Sequence, residues 1–500
     1  MCIIITSVIV IILNHSGGPG YGTAFLDQEA AMELYNTIIS KISDILYYPL
    51  VVPLFLVFTG VYFTIRSRGI QIRLFGEMFK VVSEKPKDKD GVSSFAALMV
   101  STASRVGTGN IIGVSTALCL GGPGAIFWLW VTALLGGATA FIESTLAQIY
   151  KRRDNDGSSY GGPSYYMETA LKARWAGIIF AIAIILCYAV GYNMLASYNL
   201  QSCFEAFSFY GEHTALIIGI ILALLFGFIV LGGGKRLMHV TEFLVPLMGV
   251  IFIAVSIIVL IINAGNLGTM FSDIFRSAFD FQSIFAGFFG SCIMWGIKRG
   301  LYSNEAGMGS APNAAATADV SHPAKQGLVQ MLSVFIDSLL ICSATALMCL
   351  SSGVVPTEEI KGAPFVQESM RASLGDFGPV FIAVALSLFA FTTLIGNYFY
   401  CEGCLRFIIK EKPGKSLLTV FRLGATLLVF IGAIMSADAV WNTADVVQGI
   451  MVVVNIPAIL LLGKRALNCL EDYVAQRKEG KDPHYIAKDC GIKEETDFWN

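Results

Sequence analysis

The chain is 500 residues long, and Lys, Arg, Asp and Glu make up only 14% of it, against roughly 25% in ordinary soluble domains. Hydrophobic residues reach 55%, mean hydropathy is +0.68, and 34 basic residues against 36 acidic ones give a net charge of −2. Such a chain lacks the polar surface of a soluble multidomain enzyme, the polarity of a disordered protein and the basic footprint of a nucleic-acid binder, which leaves a polytopic membrane protein.

In chain order, residues 2–13 are apolar but too short to span a bilayer. No basic residue precedes them, so they read as a non-standard signal or loose end of an extracytoplasmic tail over 1–47. A first membrane helix is expected over 48–66. Ten more follow over 92–119, 122–149, 175–203, 214–233, 238–263, 281–311, 326–351, 377–404, 417–436 and 440–463, each apolar over about the 20 residues a span needs. The remainder, 464–500, reads as a tail. Alternate connections hold 26 of the basic residues on one side and four on the other, which places the N-terminus outside and the C-terminus in the cytoplasm. Arg105, Lys298, Arg299 and Arg422 remain within spans. The 11 cysteines and five histidines form no metal-ligand spacing beyond one Cys401–Cys404 pair at a helix end, and no nucleophile–base pattern suggests an enzyme.

Two apolar helices are interrupted. The first carries Val106-Gly-Thr-Gly-Asn110, where two glycines and an Asn weaken a membrane helix sharply. A glycine-packed helix contact is the plainer reading, but it does not need Thr108 and Asn110 between the small residues. The second carries Trp295-Gly-Ile-Lys-Arg-Gly300 and then Ser303–Gly309. Either that helix ends there with Lys298 and Arg299 in water, or it unwinds and resumes. Each interruption opens a set of five helices, 92–263 and 281–463, and the two sets enter the membrane from opposite sides. That pattern is the signature of an inverted-repeat secondary transporter with its site at the broken helices. A third motif is Thr392-Thr393 in a Phe-rich helix, where two hydroxyls either complete a small oxygen cage or bond their own helix.

At these motifs the chain resembles the alanine/glycine:cation symporter family. The resemblance is carried by RVGTGNIIGV at 105–114, GGPGAIFW at 121–128, GGPSYY at 161–166, KRGLYSNEAGMGSAP at 298–312 and FAFTT at 389–393, and it runs over roughly residues 45–475. It implies an all-α membrane protein with the 5+5 inverted-repeat fold of the bacterial leucine transporter plus one N-terminal helix. It also implies sodium-coupled symport of small neutral amino acids across the bacterial inner membrane, with no organic cofactor, no nucleic acid and no obligate protein partner. On this resemblance the amides of Gly107, Thr108 and Gly109 take the substrate carboxylate, carbonyls near Gly296 to Gly300 take its ammonium, and Trp295 and Phe391 limit the pocket. One sodium uses Ala103, Val106, Phe389, Thr392 and Thr393; a second involves Asn110. The chain departs from the family at Ala196 and Ala96, where relatives carry Gln, and mildly at Tyr302, where they carry Phe. A methyl at 196 implies a roomier pocket. Rival readings are a proton-coupled transporter, with Glu143, Asp337 or Glu305 as the titrating carboxylate, and a cation channel.

Overall fold

The computed structural model describes residues 22–47, 51–88, 91–155, 157–280, 291–356, 360–411 and 413–500. Residues 2–13, and the expected start of the seventh span at 281–290, lie outside the described residues. Among the described residues, eight helices are long and apolar enough to cross a membrane, and Gly109–Gly121 and Thr214–Val230 are shorter apolar segments. Hydrogen bonding within each helix satisfies the backbone, which a bilayer interior demands. Among the described residues the one sheet is a two-stranded ribbon pairing Arg152 with Tyr160.

Most expected spans appear with small shifts. The fourth is continuous over Arg174–Ser202 but passes through a π-helical stretch at Ile185–Tyr192, and the eighth, Pro323–Ser351, does the same at Phe335–Cys342. Helix Phe377–Ile409 crosses the molecule, and Gly396 lets its backbone meet the first broken helix: a Cβ there would sit 2.6 Å from the Ser104 nitrogen. Helices 214–230 and 234–262 keep a run of Ile, Leu and Phe exposed, as a lipid-facing surface requires.

Both tails carry regular structure. Gly22–Tyr47 is helical, and Tyr35 and Tyr47 fasten it to the last long helix through Thr443 Oγ1 and the Asp445 carbonyl, at 2.5 and 3.3 Å. Its Asp, Glu and Lys residues hid this helix from a search for charge-free runs. The final helix runs on to Lys478, well past 463, and residues 480–500 fold back against the bundle.

The four basic residues within spans are all partnered. Arg105 donates to the Gln330 carbonyl at 3.2 Å and Arg422 to Tyr398 Oη at 3.2 Å. Lys298 Nζ lies 2.6 Å and Arg299 3.6 Å from the Asp445 carboxylate.

Candidate functional site

The first interruption is present where the sequence placed it. Helix Ser94–Arg105 stops, Val106 takes a non-helical ψ of 87°, and a π-helical turn resumes at Gly109–Gly113. Asn110 explains how the gap is held: its Oδ1 accepts the freed Gly107 N–H at 2.7 Å, replacing a lost helix bond. Both glycines are there for close approach. A side chain at 107 would overlap the Thr393 hydroxyl, and a Cβ at 109 would come 2.5 Å from the Tyr302 ring.

Thr392 and Thr393 separate at this point. Consecutive helical residues point about 100° apart, so one hydroxyl can face the gap and its neighbour cannot. Thr392 donates along its own helix, with Oγ1 3.1 Å from the carbonyls of Leu388 and Phe389. Thr393 Oγ1 is buried, lies against Gly107 and has no hydrogen-bond partner among the described residues. Ala103, Val106, Phe389 and Thr393 are all buried along this seam.

The second interruption lies further along than expected. Cys292–Asn304 is one unbroken helix, so the carbonyls of Gly296 to Gly300 are not freed. These glycines are a four-residue-spaced contact face instead: a Cβ at 296 would meet the Ala125 carbonyl at 2.6 Å, and one at 300 would meet Thr132 at 3.4 Å, both on helix 124–149. The chain leaves the helix at Glu305, with φ 55°, and passes through Gly307 and Gly309 at φ 88° and 81° before a short helix at Pro312–Ala315. Only glycine adopts such angles without strain, which fixes the unwound stretch at 305–311.

Buried side chains take up the backbone groups that this stretch frees. Glu143 Oε1 accepts the Gly307 N–H at 3.5 Å, and Asn455 Nδ2 lies 3.0 Å from both Glu143 Oε2 and the Gly307 carbonyl. Glu305 joins the two interruptions, accepting Ser104 Oγ at 3.0 Å and Ser310 Oγ at 2.8 Å. Intramembrane carboxylates were legible as functional candidates; their engagement with the unwound backbone was not.

Around the first gap stands a wall that the sequence reading largely missed. Tyr302 packs edge-on to Tyr192 at 4.9 Å and leans on Trp441 at 5.3 Å, and the Arg299 guanidinium lies 4.2 Å above Trp441. Asn199 Nδ2 donates to Thr108 Oγ1 at 3.0 Å, while the other half of that fully buried amide has no partner among the described residues. Asn199, not Ala196, is therefore the residue of helix 193–202 that reaches the gap. Ala196 sits in an apolar cluster with Leu200, Phe226, Ala390 and Leu394, and Phe391 packs on the same cluster. Trp295 packs elsewhere, beside Gly121, Trp128 and the Arg299 guanidinium, so it does not pair with Phe391 as a pocket limit.

Beside the gap lies a polar cluster. Asn110 Nδ2 donates to Asp337 Oδ1 at 2.7 Å; Ser303 and Ser338 hydroxyls donate to Asp337 Oδ2 at 2.7 and 2.8 Å. Asp337 is fully buried, and among the described residues no Lys or Arg forms an ion pair with it.

Comparison with known proteins shows the family and the fold. The model of the sodium:alanine symporter family matches residues 32–487. The chain is 42% identical over 465 residues to the amino-acid carrier protein AlsT of Bacillus subtilis (strain 168), covering 93% of this chain and 98% of that one. It is 37% identical to the sodium/alanine symporter AgcS of Methanococcus maripaludis, covering 81% and 90%. Among solved structures it resembles MhsT in complex with L-phenylalanine, with a TM-score of 0.52 and 15% identity over 81% of this chain and 95% of that one, which is a likeness of fold.

Proposed function

The chain belongs to the sodium:alanine symporter family, and from that premise we propose how it works: as a sodium-coupled symporter of alanine and similarly small neutral amino acids that moves by alternating access. It is a multi-pass membrane transporter and not an enzyme. Two five-helix repeats of opposite orientation, each opened by a broken helix, with the N-terminus outside and the C-terminus in the cytoplasm, are the arrangement we infer for it.

In this reading the substrate carboxylate meets the amides of Thr108 and Gly109, beside the Gly107 N–H that Asn110 holds, at the N-terminal end of a helix whose dipole favours an anion. The ammonium is met by carbonyls of the second unwound stretch, which the glycine angles put at 305–311. One sodium is held by the carbonyls of Ala103, Val106 and Phe389 with the Thr393 hydroxyl; hard oxygen donors suit it. A second sits among Asn110, Ser303 and Asp337. Coupling follows because a filled cation site and a bound carboxylate complete the same gap. The observation that carries this reading is the buried, unpartnered Thr393 hydroxyl against Gly107. Purified protein in liposomes should accumulate labelled alanine under an inward sodium gradient. Equal accumulation under a proton gradient alone would favour the proton-coupled rival, and conductance without accumulation would favour a channel.

The two threonines separate the roles of ligand and helix filler. Thr393→Ala is expected to raise the sodium concentration for half-maximal uptake several-fold, since a lost charge-assisted contact costs about 1–2 kcal/mol. Thr392→Ala is expected to change it little. Equal effects of the two substitutions on the sodium titration would sink the assignment.

Selectivity is expected to follow Asn199. Replacing it with Leu leaves the Thr108 hydroxyl without its partner and should lower alanine affinity by roughly 1–2 kcal/mol while altering competition by serine, threonine and glutamine. Ala196→Gln pushes an amide into an apolar cluster and should lower the melting temperature without changing that competition profile. If Ala196→Gln narrows the profile toward glycine and alanine, position 196 faces the substrate after all.

A further inference from the structure

Residues 480–500 make an unusual set of attachments. They begin at a turn through Gly480, at φ 74°, and end on Trp499, which is 3% exposed. The Trp499 indole N–H donates to the Gln148 carbonyl at 2.7 Å, and the Lys151 ammonium lies over the Phe498 and Trp499 rings at 4.5 and 5.2 Å. Asp497 accepts the Arg153 N–H at 2.9 Å. This group closes over the end of helix 124–149. The segment also closes on itself, with the Ala487 N–H donating to the Trp499 carbonyl at 2.8 Å.

A second attachment reaches the foot of the first broken helix. Tyr485 N–H donates to the Ser321 carbonyl at 3.1 Å, in the connection that also bonds Val92 through the Asp319 N–H at 2.9 Å. Asp482 lies 3.0 Å from Lys325 Nζ, and the same ammonium lies 2.7 Å from Glu84, on the segment that feeds helix 94–105. Gln326 Nε2, next to Lys325, donates to Ser94 Oγ at 3.0 Å, at the first turn of that helix. His322 ties the same corner to the last long helix, with Nδ1 accepting the Ala324 N–H at 3.2 Å and Nε2 lying 3.1 Å from Asp472. Burial holds its pKa down to about 4, so this tie is made by a neutral ring at ordinary pH.

We propose that residues 480–500 are a latch on the side read as cytoplasmic, pinning the foot of the first broken helix to the end of helix 124–149 and so holding the inner gate closed. The proposal rests on the alternating-access reading, because only a transporter whose inner helix ends must part has a use for such a latch. Its two halves differ in the way a releasable strap requires. Trp499 is a buried anchor. Asp482 is 79% exposed at its side chain and can leave while Glu84 still pairs the buried Lys325 ammonium, 3% exposed, so its contact can break and reform without stranding that charge.

The test is hydrogen–deuterium exchange on the full-length protein in detergent, without sodium, together with uptake in liposomes. Trp499→Ala should speed amide exchange in residues 94–105 and 316–325 by at least about threefold relative to the parent, since local opening sets that rate. The core of helix 437–478 should be unchanged. Half-maximal uptake should need more external sodium, because the outward-facing state is less populated. Trp499→Phe, which keeps the packing and loses the N–H bond, and Asp482→Asn, at an exposed position, should act in the same direction by less, and they carry the test if Trp499→Ala is not monodisperse. Faster exchange confined to 480–500, with sodium dependence unchanged, would overturn the latch. Failure of the parent protein to accumulate alanine under a sodium gradient would overturn the transport reading instead, whatever the exchange pattern.

Discussion

Gly107→Ala is expected to abolish most sodium-driven uptake while leaving the protein inserted and monodisperse. The added methyl would overlap the Thr393 hydroxyl, and its next contacts, the Thr393 Cβ and Cγ2, are at 3.2 and 3.4 Å. Drawing the helices apart to relieve this would give up the close backbone packing of helix 377–409 on Ser104 that Gly396 permits. Thr393 must then rotate out of its position, at an overpacking cost of roughly 1–3 kcal/mol. Each 1.4 kcal/mol lost from cation binding is a tenfold weaker site, so a sodium half-saturation roughly five- to a hundredfold higher is expected. The double variant Gly107→Ala/Thr393→Ala decides whether the two residues act through one contact. If they do, the pair is no worse in sodium dependence than Thr393→Ala alone, since neighbours in contact are not additive. Independent, additive losses would show that Gly107 serves the substrate carboxylate only.

The places where sequence and structure part company have physical causes. The first gap was legible because Gly107, Gly109 and Asn110 fall together in an otherwise apolar helix, and three such residues have few uses there. The second lies about two and a half to three helical turns beyond Gly296 to Gly300. Glycines spaced four apart pack helices as readily as they break them, and Gly296 and Gly300 do the former against Ala125 and Thr132. Gly307 and Gly309 looked equivalent to them in the sequence; only their positive φ angles separate the two pairs. Thr392 and Thr393 were indistinguishable as letters, and the 100° between neighbours on a helix gave them different partners. Ala196 was placed by likeness to relatives, whereas the turn of helix 193–202 brings Asn199 to Thr108. The N-terminal helix and the folded C-terminal segment do not stand out by hydropathy because polar contacts and a few scattered buried side chains, Tyr485, Ile492 and Trp499 among them, hold them rather than long apolar runs.

Asp337→Asn should change the number of sodium ions carried with each alanine. The carboxylate is fully buried and accepts Asn110, Ser303 and Ser338 at 2.7 to 2.8 Å, three neutral donors with no cation in contact among the described residues. The buried Arg105 acts on this carboxylate only from a distance, so a cation bound beside it would be favoured, and its binding energy would be available to order Asn110 and with it the Gly107 amide. An Asn keeps the volume but removes the charge and turns one acceptor into a donor facing other donors, a loss of about 1–3 kcal/mol in the empty site and more when a cation is bound. The ratio of labelled sodium to labelled alanine flux should fall by one ion, and the sodium titration should lose its cooperativity, while the Thr393 site still couples. If flux ratio and titration are both unchanged, Asp337 is a hydrogen-bonding hub for Asn110 and nothing more. If sodium dependence is unchanged but uptake loses its dependence on a pH gradient, the carboxylate carries a proton, and the proton-coupled reading gains the residue it needs.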